Sequence, residues 1–374
     1  MTNASGNGKN PQRRPTGKPL APGLKGAKMI GVGAFAPPSA ITNDDLTQLV
    51  ETSDEWITTR TGIRARRVVS GDMSVADMAT EASRQALLSA GIDGSEIDLI
   101  VCATSTPDAI YPATACQVQA NIGAMQAAGF DIALACSGFA YGMVIAQQFL
   151  RTGARRRALV IGADIHSHAV DWTDRNTCVL FGDGAGAAIL EATDDADYFL
   201  GNDFQLDGSK GMYLTLFAPG ENCPLVEPKT PANQFVYMNG REVFKFAVNQ
   251  VPKTLEAALC QAGLTMQDID HIVLHQANIR IMEAISERYG IPQEKMVVNL
   301  QHYGNTSAAS IPLALNEAVL SGRIKPGDKV LMCGFGAGMA WSTTVLEWTA
   351  VDQRRPADLS NDMRATVPDF VPAL

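Results

Sequence analysis

One cysteine in this chain stands where sulfur can act as a nucleophile. Cys136 lies in Ala135-Cys136-Ser137-Gly138-Phe139, between a short apolar run, Ile132 to Ala135, and a stretch from Phe139 to Leu150 with apolar residues at helical spacing. The pattern predicts a buried strand, a sharp turn and a helix, with Ser137 and Gly138 letting the backbone approach closely. A thiol at a helix N-terminus feels the positive end of the helix dipole, which favours the thiolate. The device is that of a serine nucleophile elbow, built with sulfur. A lone cysteine is more often a core residue; the small-residue turn and the helix behind it tilt this one towards chemistry.

The elements that must position Cys136 recur. Ala90-Gly91-Ile92 followed by Glu96-Ile97-Asp98-Leu99-Ile100-Val101 matches Ala262-Gly263-Leu264 followed by Asp268-Ile269-Asp270-His271-Ile272-Val273, 172 positions on. The same shift sets Ala158 to Gly162 on Val330 to Gly334, and Cys136 on Ala308 within Tyr303-Gly304-Asn305-Thr306-Ser307-Ala308-Ala309-Ser310. Two copies of one α/β unit are implied, each running helix, strand, helix, strand, helix, strand. In open α/β sheets ligands sit beyond the carboxyl ends of strands. Packed about a pseudo-twofold axis, the copies turn the Cys136 and Asn305 segments towards one cleft. His275, which follows the strand Ile272–Leu274, reaches the same cleft; the first copy has Ala103 there. The boundaries read as a disordered basic tail over 1–27, one half over 28–198, a second over 199–350, and an extension over 351–374. The tail lacks the apolar segment of a signal peptide.

Elsewhere, Met29 to Phe35 reads as a strand and Asp44 to Glu51 as a helix capped by Thr42 or Asn43. Ser74 to Ala90 and Ala113 to Ile122 read as helices, Leu99 to Ala103 as a buried strand. Trp56, Arg60 and Arg64 lie in one polar run; an aromatic beside guanidinium groups can grip a nucleotide and its phosphates, though such runs are usually solvated loops. Phe181 to Gly186 is glycine-rich but lacks the Lys-Ser/Thr ending of a phosphate loop and leads into an apolar β-like segment, so it does not read as a nucleotide site. His166 and His168 read as a surface or strand feature, not a metal site.

With 374 residues, 46% hydrophobic and 18% charged, the chain can bury a core large enough for two domains. A net charge of −9 and a pI near 5.1 argue against nucleic acid and anionic membrane as main partners. Seven scattered cysteines, without metal spacing, suit a reduced cytosol. No apolar run is long enough to span a bilayer.

At these residues the sequence resembles the 3-oxoacyl-[acyl-carrier-protein] synthase III family, of thiolase-like fold, over about residues 28 to 349. The motifs are Thr52 to Trp56 with Arg60 to Arg64, Ala135 to Phe139, Phe181 to Gly186, His275 to Arg280, and Tyr303 to Ala309. The resemblance implies Cys136 as the acylated nucleophile, with His275 and Asn305 completing a triad. It implies Trp56, Arg60 and Arg175 as the coenzyme A grip and Asn278 beside the pantetheine. Gln276, Ala277, Asn278, Ile279 and Arg280 fall on its carrier-protein segment, and Lys245 and Arg288 are companion cations. Backbone N–H groups of Cys136 and Ala337 fall on its oxyanion hole. Neutral donors from histidine and asparagine suit an enolate formed by loss of carbon dioxide. Relatives that deprotonate an acyl-CoA instead carry a glutamate near the cysteine, and Ala133 to Gly142 has none.

The expectation is therefore a cytoplasmic homodimeric α/β enzyme of thiolase-like fold. It takes no cofactor or metal and condenses a primer acyl-CoA with malonyl-[acyl-carrier protein] to start fatty acid synthesis. The rivals are a starter-unit ketosynthase or acyltransferase of specialised metabolism with the same triad, and a catalytically silent carrier-protein binder.

Overall fold

In the computed structural model, which describes residues 15–217 and 234–349, the apolar runs of the sequence become the strands of two sheets. The first half runs β1 (Gly26–Phe35), β2 (Ala40–Thr42), α1 (Asn43–Leu46), α2 (Asp54–Thr61), β3 (Ala65–Arg67), α3 (Val75–Ala90), β4 (Leu99–Ala103), α4 (Thr114–Asn121), β5 (Ala128–Ile132), α5 (Gly138–Arg151), β6 (Arg157–Asp164), α6 (Arg175–Cys178) and β7 (Gly184–Thr193). The second runs β8 (Phe199–Leu206), β9 (Leu214–Thr215), β10 (Tyr237–Met238), α7 (Gly240–Ala262), β11 (His271–Leu274), α8 (Ile279–Tyr289), α9 (Leu300–Tyr303), α10 (Ser310–Leu320), β12 (Lys329–Gly336) and β13 (Ala340–Glu347).

The first sheet has strand order β1-β7-β6-β4-β5, the second β11-β12-β13-β8. Strand β4 shows why they are layered. Its side chains alternate, so Leu99 and Val101 join a core with Phe139, Met143 and Leu150 of α5, while Ile100 and Cys102 face Met78, Ala82 and Ala86 of α3. Buried on both faces, the strand reads as a continuous apolar run. Helices α5 and α10 lie in the central layer, where their apolar residues share one core with Val160 and Leu190 of the first sheet and Val273, Val330 and Met332 of the second. Helix α7 covers the other face of the second sheet, packing Val251 and Leu255 with Leu274, Leu331 and Cys333. Burying each large side chain of this kind is worth about 1.5–3 kcal/mol.

The 172-residue repeat holds element by element. β6 and β12 match end to end, α3 and α7 both close on a left-handed glycine (Gly91, Gly263), and the turns Ala135–Ser137 and Ser307–Ala309 superpose in number. It fails in the middle. Where the first copy has β5, the second has α9, and only Met296 bridges Ile272 at the sheet edge. Among the described residues the expected middle strand of the second copy is therefore absent.

Three other expectations shift. The strand before the nucleophile is Ala128–Ile132, four residues early, and it is a half-exposed edge, not a buried run. Asp131 fixes it there, because its carboxylate accepts the Thr114 and Ala115 N–H groups at 2.7 and 2.8 Å, leaving Ala133 to Ala135 to turn. The helix expected over Asp44–Glu51 is only Asn43–Leu46: Thr42 caps it, but Leu49 points outward, so no apolar stripe continues it. The segment 15–27 is not a loose tail. Gly26 opens β1, Thr16 and Gly17 donate to the Glu347 carboxylate, and Lys18 pairs with the backbone of Asp197. Residues 1–14 and the extension 351–374 lie outside the described residues.

Candidate active site

The nucleophile turn is strained. Ala135 has φ 44° and Ser307 has φ 51°, and these are the non-glycine residues with positive φ among those described. They are 172 positions apart, so each copy spends about 1–3 kcal/mol to make the same turn. Cys136 is 4% exposed at the start of α5. The end of β12 lies against it: a Cβ on Gly336 would sit 2.8 Å from the Cys136 Cβ and 3.3 Å from its sulfur, so only glycine fits. Burial pushes the thiol up to about 12. The helix dipole, worth about 0.3–1 kcal/mol at an exposed terminus, does not overcome that, so the resting cysteine is a thiol and the expected thiolate is not the ground state.

His275 and Asn305 are brought to Cys136, all three lining one cavity of about 150 Å³. Burial lowers the His275 pKa to about 3, so the imidazole is neutral. Its Nδ1 lies 2.7 Å from Ser310 Oγ. That hydroxyl also accepts the Gln276 N–H at 3.4 Å, which leaves it one lone pair and its own proton for Nδ1. With that proton donated to Nδ1, the ring proton sits on Nε2, as a donor towards the cavity. Asn305 is oriented in the same way: its Oδ1 accepts the Ser307 N–H at 2.9 Å, which leaves the amide NH₂ to donate. Backbone bonds lock its segment, Asn305 N–H to Leu180 and Gly182 N–H to Asn305, at 2.8 and 3.0 Å.

Cys136 also borders a second cavity of about 340 Å³, lined by Leu134, Phe181, Leu214, Leu216 and Phe217 among others. Ala337 lies on this side, and its N–H makes no hydrogen bond among the described residues. His166, read as a surface or strand feature, is buried here just beyond β6, stacked on Phe181 with ring centroids 5.0 Å apart.

The expected coenzyme A residues also gather. The guanidinium groups of Arg60 and Arg175 lie 4.5 and 4.8 Å from the Trp56 ring centroid, and Arg175 donates to the Glu51 carbonyl. Gly62 ends α2 in the left-handed region, and a Cβ there would meet Ile279 at 2.8 Å. This contact sets α2 against the start of α8, next to Asn278, which lines the smaller cavity. Arg280 is exposed, and Ala277, Asn278 and Ile279 are half-buried. Gln276 is a correction. It is 1% exposed, donates to the Leu274 and Val297 carbonyls and accepts from Asn299 N–H, so it braces the site and cannot meet a protein partner.

Sequence reasoning missed Ser310, the tight fit at Gly336, and His166. The first has a signal only in retrospect, since a serine opening a helix reads as a cap.

Comparison with known proteins agrees with this geometry. Residues 130–208 match the family model for 3-oxoacyl-[acyl-carrier-protein (ACP)] synthase III, and residues 259–348 match the model for its C-terminal part. The chain is 51% identical to the beta-ketoacyl-[acyl-carrier-protein] synthase III of Thermosynechococcus vestitus, over 87% of this chain and 99% of the relative. The crystal structure of 3-oxoacyl-[acyl-carrier-protein] synthase III from Aquifex aeolicus aligns with a TM-score of 0.80 at 44% identity, covering 86% of this chain and 100% of that one. The priming beta-ketosynthase of the R1128 polyketide pathway aligns with a TM-score of 0.81 at 34% identity, covering 91% and 100%. With a cysteine, a neutral histidine and an oriented asparagine on a duplicated α/β frame, the chain belongs to the 3-oxoacyl-[acyl-carrier-protein] synthase III family of thiolase-like acyltransferases.

Proposed function

We propose that the chain initiates fatty acid synthesis by condensing a primer acyl-CoA with malonyl-[acyl-carrier protein]. The observation that carries this reading is the single cavity shared by a cysteine and two neutral donors. Trp56, Arg60 and Arg175 hold the nucleotide end of the primer, and Asn278 lies along the pantetheine. Cys136 gives up its proton and attacks the thioester carbon; the new S–C bond forms as the bond to coenzyme A sulfur breaks, the proton leaves with that sulfur as the coenzyme A thiol, and the oxygen is held by the N–H groups of Cys136 and Ala337. Malonyl thioester then replaces coenzyme A. Its carboxylate leaves as carbon dioxide, and the enolate oxygen accepts from His275 Nε2 and Asn305 Nδ2. The enolate carbon attacks the acyl-enzyme, a C–C bond forms and Cys136 departs as thiolate. No base is required for that step, which fits a histidine whose pKa is about 3.

The edge strand β5, with Met125 and Phe149 exposed nearby, supports a homodimer in which a second copy covers it. Among the described residues no helix is long and apolar enough to cross a membrane, in keeping with a cytoplasmic enzyme. The residues present supply the whole sequence of steps, so no cofactor is invoked. The likeness to a priming ketosynthase supports a second reading, a starter-unit enzyme of specialised metabolism; the two separate by which carrier protein is used. The test is intact-mass spectrometry with acyl-CoA. The wild type is expected to gain one acyl group and Cys136→Ala none; acylation of another cysteine overturns the assignment.

A further inference from the structure

The larger cavity beside Cys136 is not uniformly apolar. His166 is 5% exposed and lines it, and its Nδ1 is buried without a hydrogen-bond partner among the described residues. Thr215 lines the same cavity, and its Oγ1 is likewise unpartnered. Leaving a buried polar group unsatisfied costs about 1–3 kcal/mol, and such groups are a few per hundred residues in folded proteins. Both side chains line one chamber that opens on the nucleophile. A hydrocarbon primer satisfies neither of them. We propose that this chamber selects primers whose acyl chain carries a neutral oxygen substituent, a hydroxyl or an oxo group, hydrogen-bonded by His166 and Thr215. The inference rests on the reading of Cys136 as the acylated residue.

The chemistry narrows the substituent. An imidazole and a hydroxyl both donate and accept, so either a hydroxyl or an oxo oxygen pairs with them. A carboxylate is disfavoured, because among the described residues no lysine or arginine lines the chamber. A volume of about 340 Å³ holds roughly ten atoms of water size, enough for a six-carbon acyl group with one added oxygen. A site built to hydrogen-bond a substituent discriminates against the analogue lacking it far better than an apolar pocket discriminates between chain lengths.

The experiment compares loading of Cys136 from hexanoyl-CoA with loading from six-carbon acyl-CoAs bearing a hydroxyl on the third, fourth or fifth carbon, by time-resolved intact mass. Wild type, His166→Leu and Thr215→Val are run in parallel. For at least one hydroxy isomer, the rate relative to hexanoyl-CoA is expected to fall roughly tenfold in His166→Leu, the worth of about one hydrogen bond, and to fall in Thr215→Val as well. If His166→Leu does not fold, Thr215→Val alone carries the comparison. An unchanged ratio for every isomer in each folded variant overturns the inference while leaving Cys136 acylation standing. Failure of the wild type to take an acyl group from any of the thioesters overturns the proposed function, and this inference with it.

Discussion

At rest the Cys136 sulfur and the His275 imidazole are both neutral, because burial disfavours the charged form of each. The pair therefore differs from a thiolate–imidazolium couple, and the role left to His275 is donation. Between about pH 6.5 and about 3 the unfolded histidine binds a proton that the folded one does not. Acidification through that range therefore costs stability, yet it leaves the Nε2 donor in place. Ser310 is the side-chain partner of Nδ1, so in the proposed mechanism it is the positioning residue that keeps the ring proton on Nε2. Ser310→Ala is expected to lower malonyl decarboxylation roughly 10–100-fold, by analogy with the scale seen when partners that orient metal-binding histidines are removed, with acyl loading nearly unchanged. Ser310→Thr should restore most of it. Equal loss of loading and decarboxylation, with no rescue by threonine, would assign Ser310 to folding alone. Cys136, His275 and Asn305 were legible in the sequence because a turn motif and the repeat single them out. Ser310 was not, because its partner is 35 positions away and its type is ordinary at a helix start. The effect of burial on the thiol was not legible, because burial is a tertiary quantity, whereas the dipole is local and visible in the sequence.

Elements were legible where one segment decides its own fate. Strand β4 is apolar at every position, and α3 has its serine cap and its closing glycine. The misreadings fall where a distant partner decides. Asp131 ends β5 early through the N-terminus of α4, and the stretch before β1 is ordered only because the far end of the chain receives it. Glu347, 7% exposed at the end of β13, accepts the Thr16 and Gly17 N–H groups, the latter at 2.7 Å. Asp197, 2% exposed, lies 3.7 Å from Lys18 Nζ, which also donates to the Leu200 carbonyl. A chain beginning at residue 15 keeps these contacts. One beginning at residue 26 leaves the buried Glu347 carboxylate without the Thr16 and Gly17 donors, at about 1–3 kcal/mol, and removes the Lys18 ammonium from beside Asp197, which keeps the Ala27 and Phe199 N–H groups and Arg151. The second truncation is expected to melt several degrees below the first, at roughly 2–4 °C per kcal/mol or less for a chain of this size. Equal melting temperatures would show that residues 15–25 add nothing to stability.

Charge is the property of the whole molecule that bears most on its partner. A net charge of −9 repels an acidic carrier protein unless cations cluster where it docks. Of the three cations considered for that role, Lys245 lies 3.9 Å from Glu242 and Arg288 lies 3.7 Å from Glu256. Arg280 is exposed and has no carboxylate partner among the described residues. It stands on the first turn of α8, two residues after Asn278 at the mouth of the cavity. That makes Arg280 the strongest single candidate for steering malonyl-[acyl-carrier protein] to Cys136, although a solvated helix arginine ordinarily contributes little to folding. Arg280→Glu reverses the local charge without touching the cavity. It is expected to slow use of malonyl-[acyl-carrier protein] roughly tenfold or more at low salt, mainly through encounter, within the range over which steering alters association rates, while primer loading from acyl-CoA stays nearly intact. Screening shortens the reach of exposed charges to about 8 Å at physiological salt, so the gap between wild type and variant should narrow as salt is added. Equal use of malonyl-[acyl-carrier protein] by both proteins at low salt would place the docking patch elsewhere on the surface. A gap that does not respond to salt would mean that Arg280 makes a desolvated contact in the docked complex instead of steering from the rim.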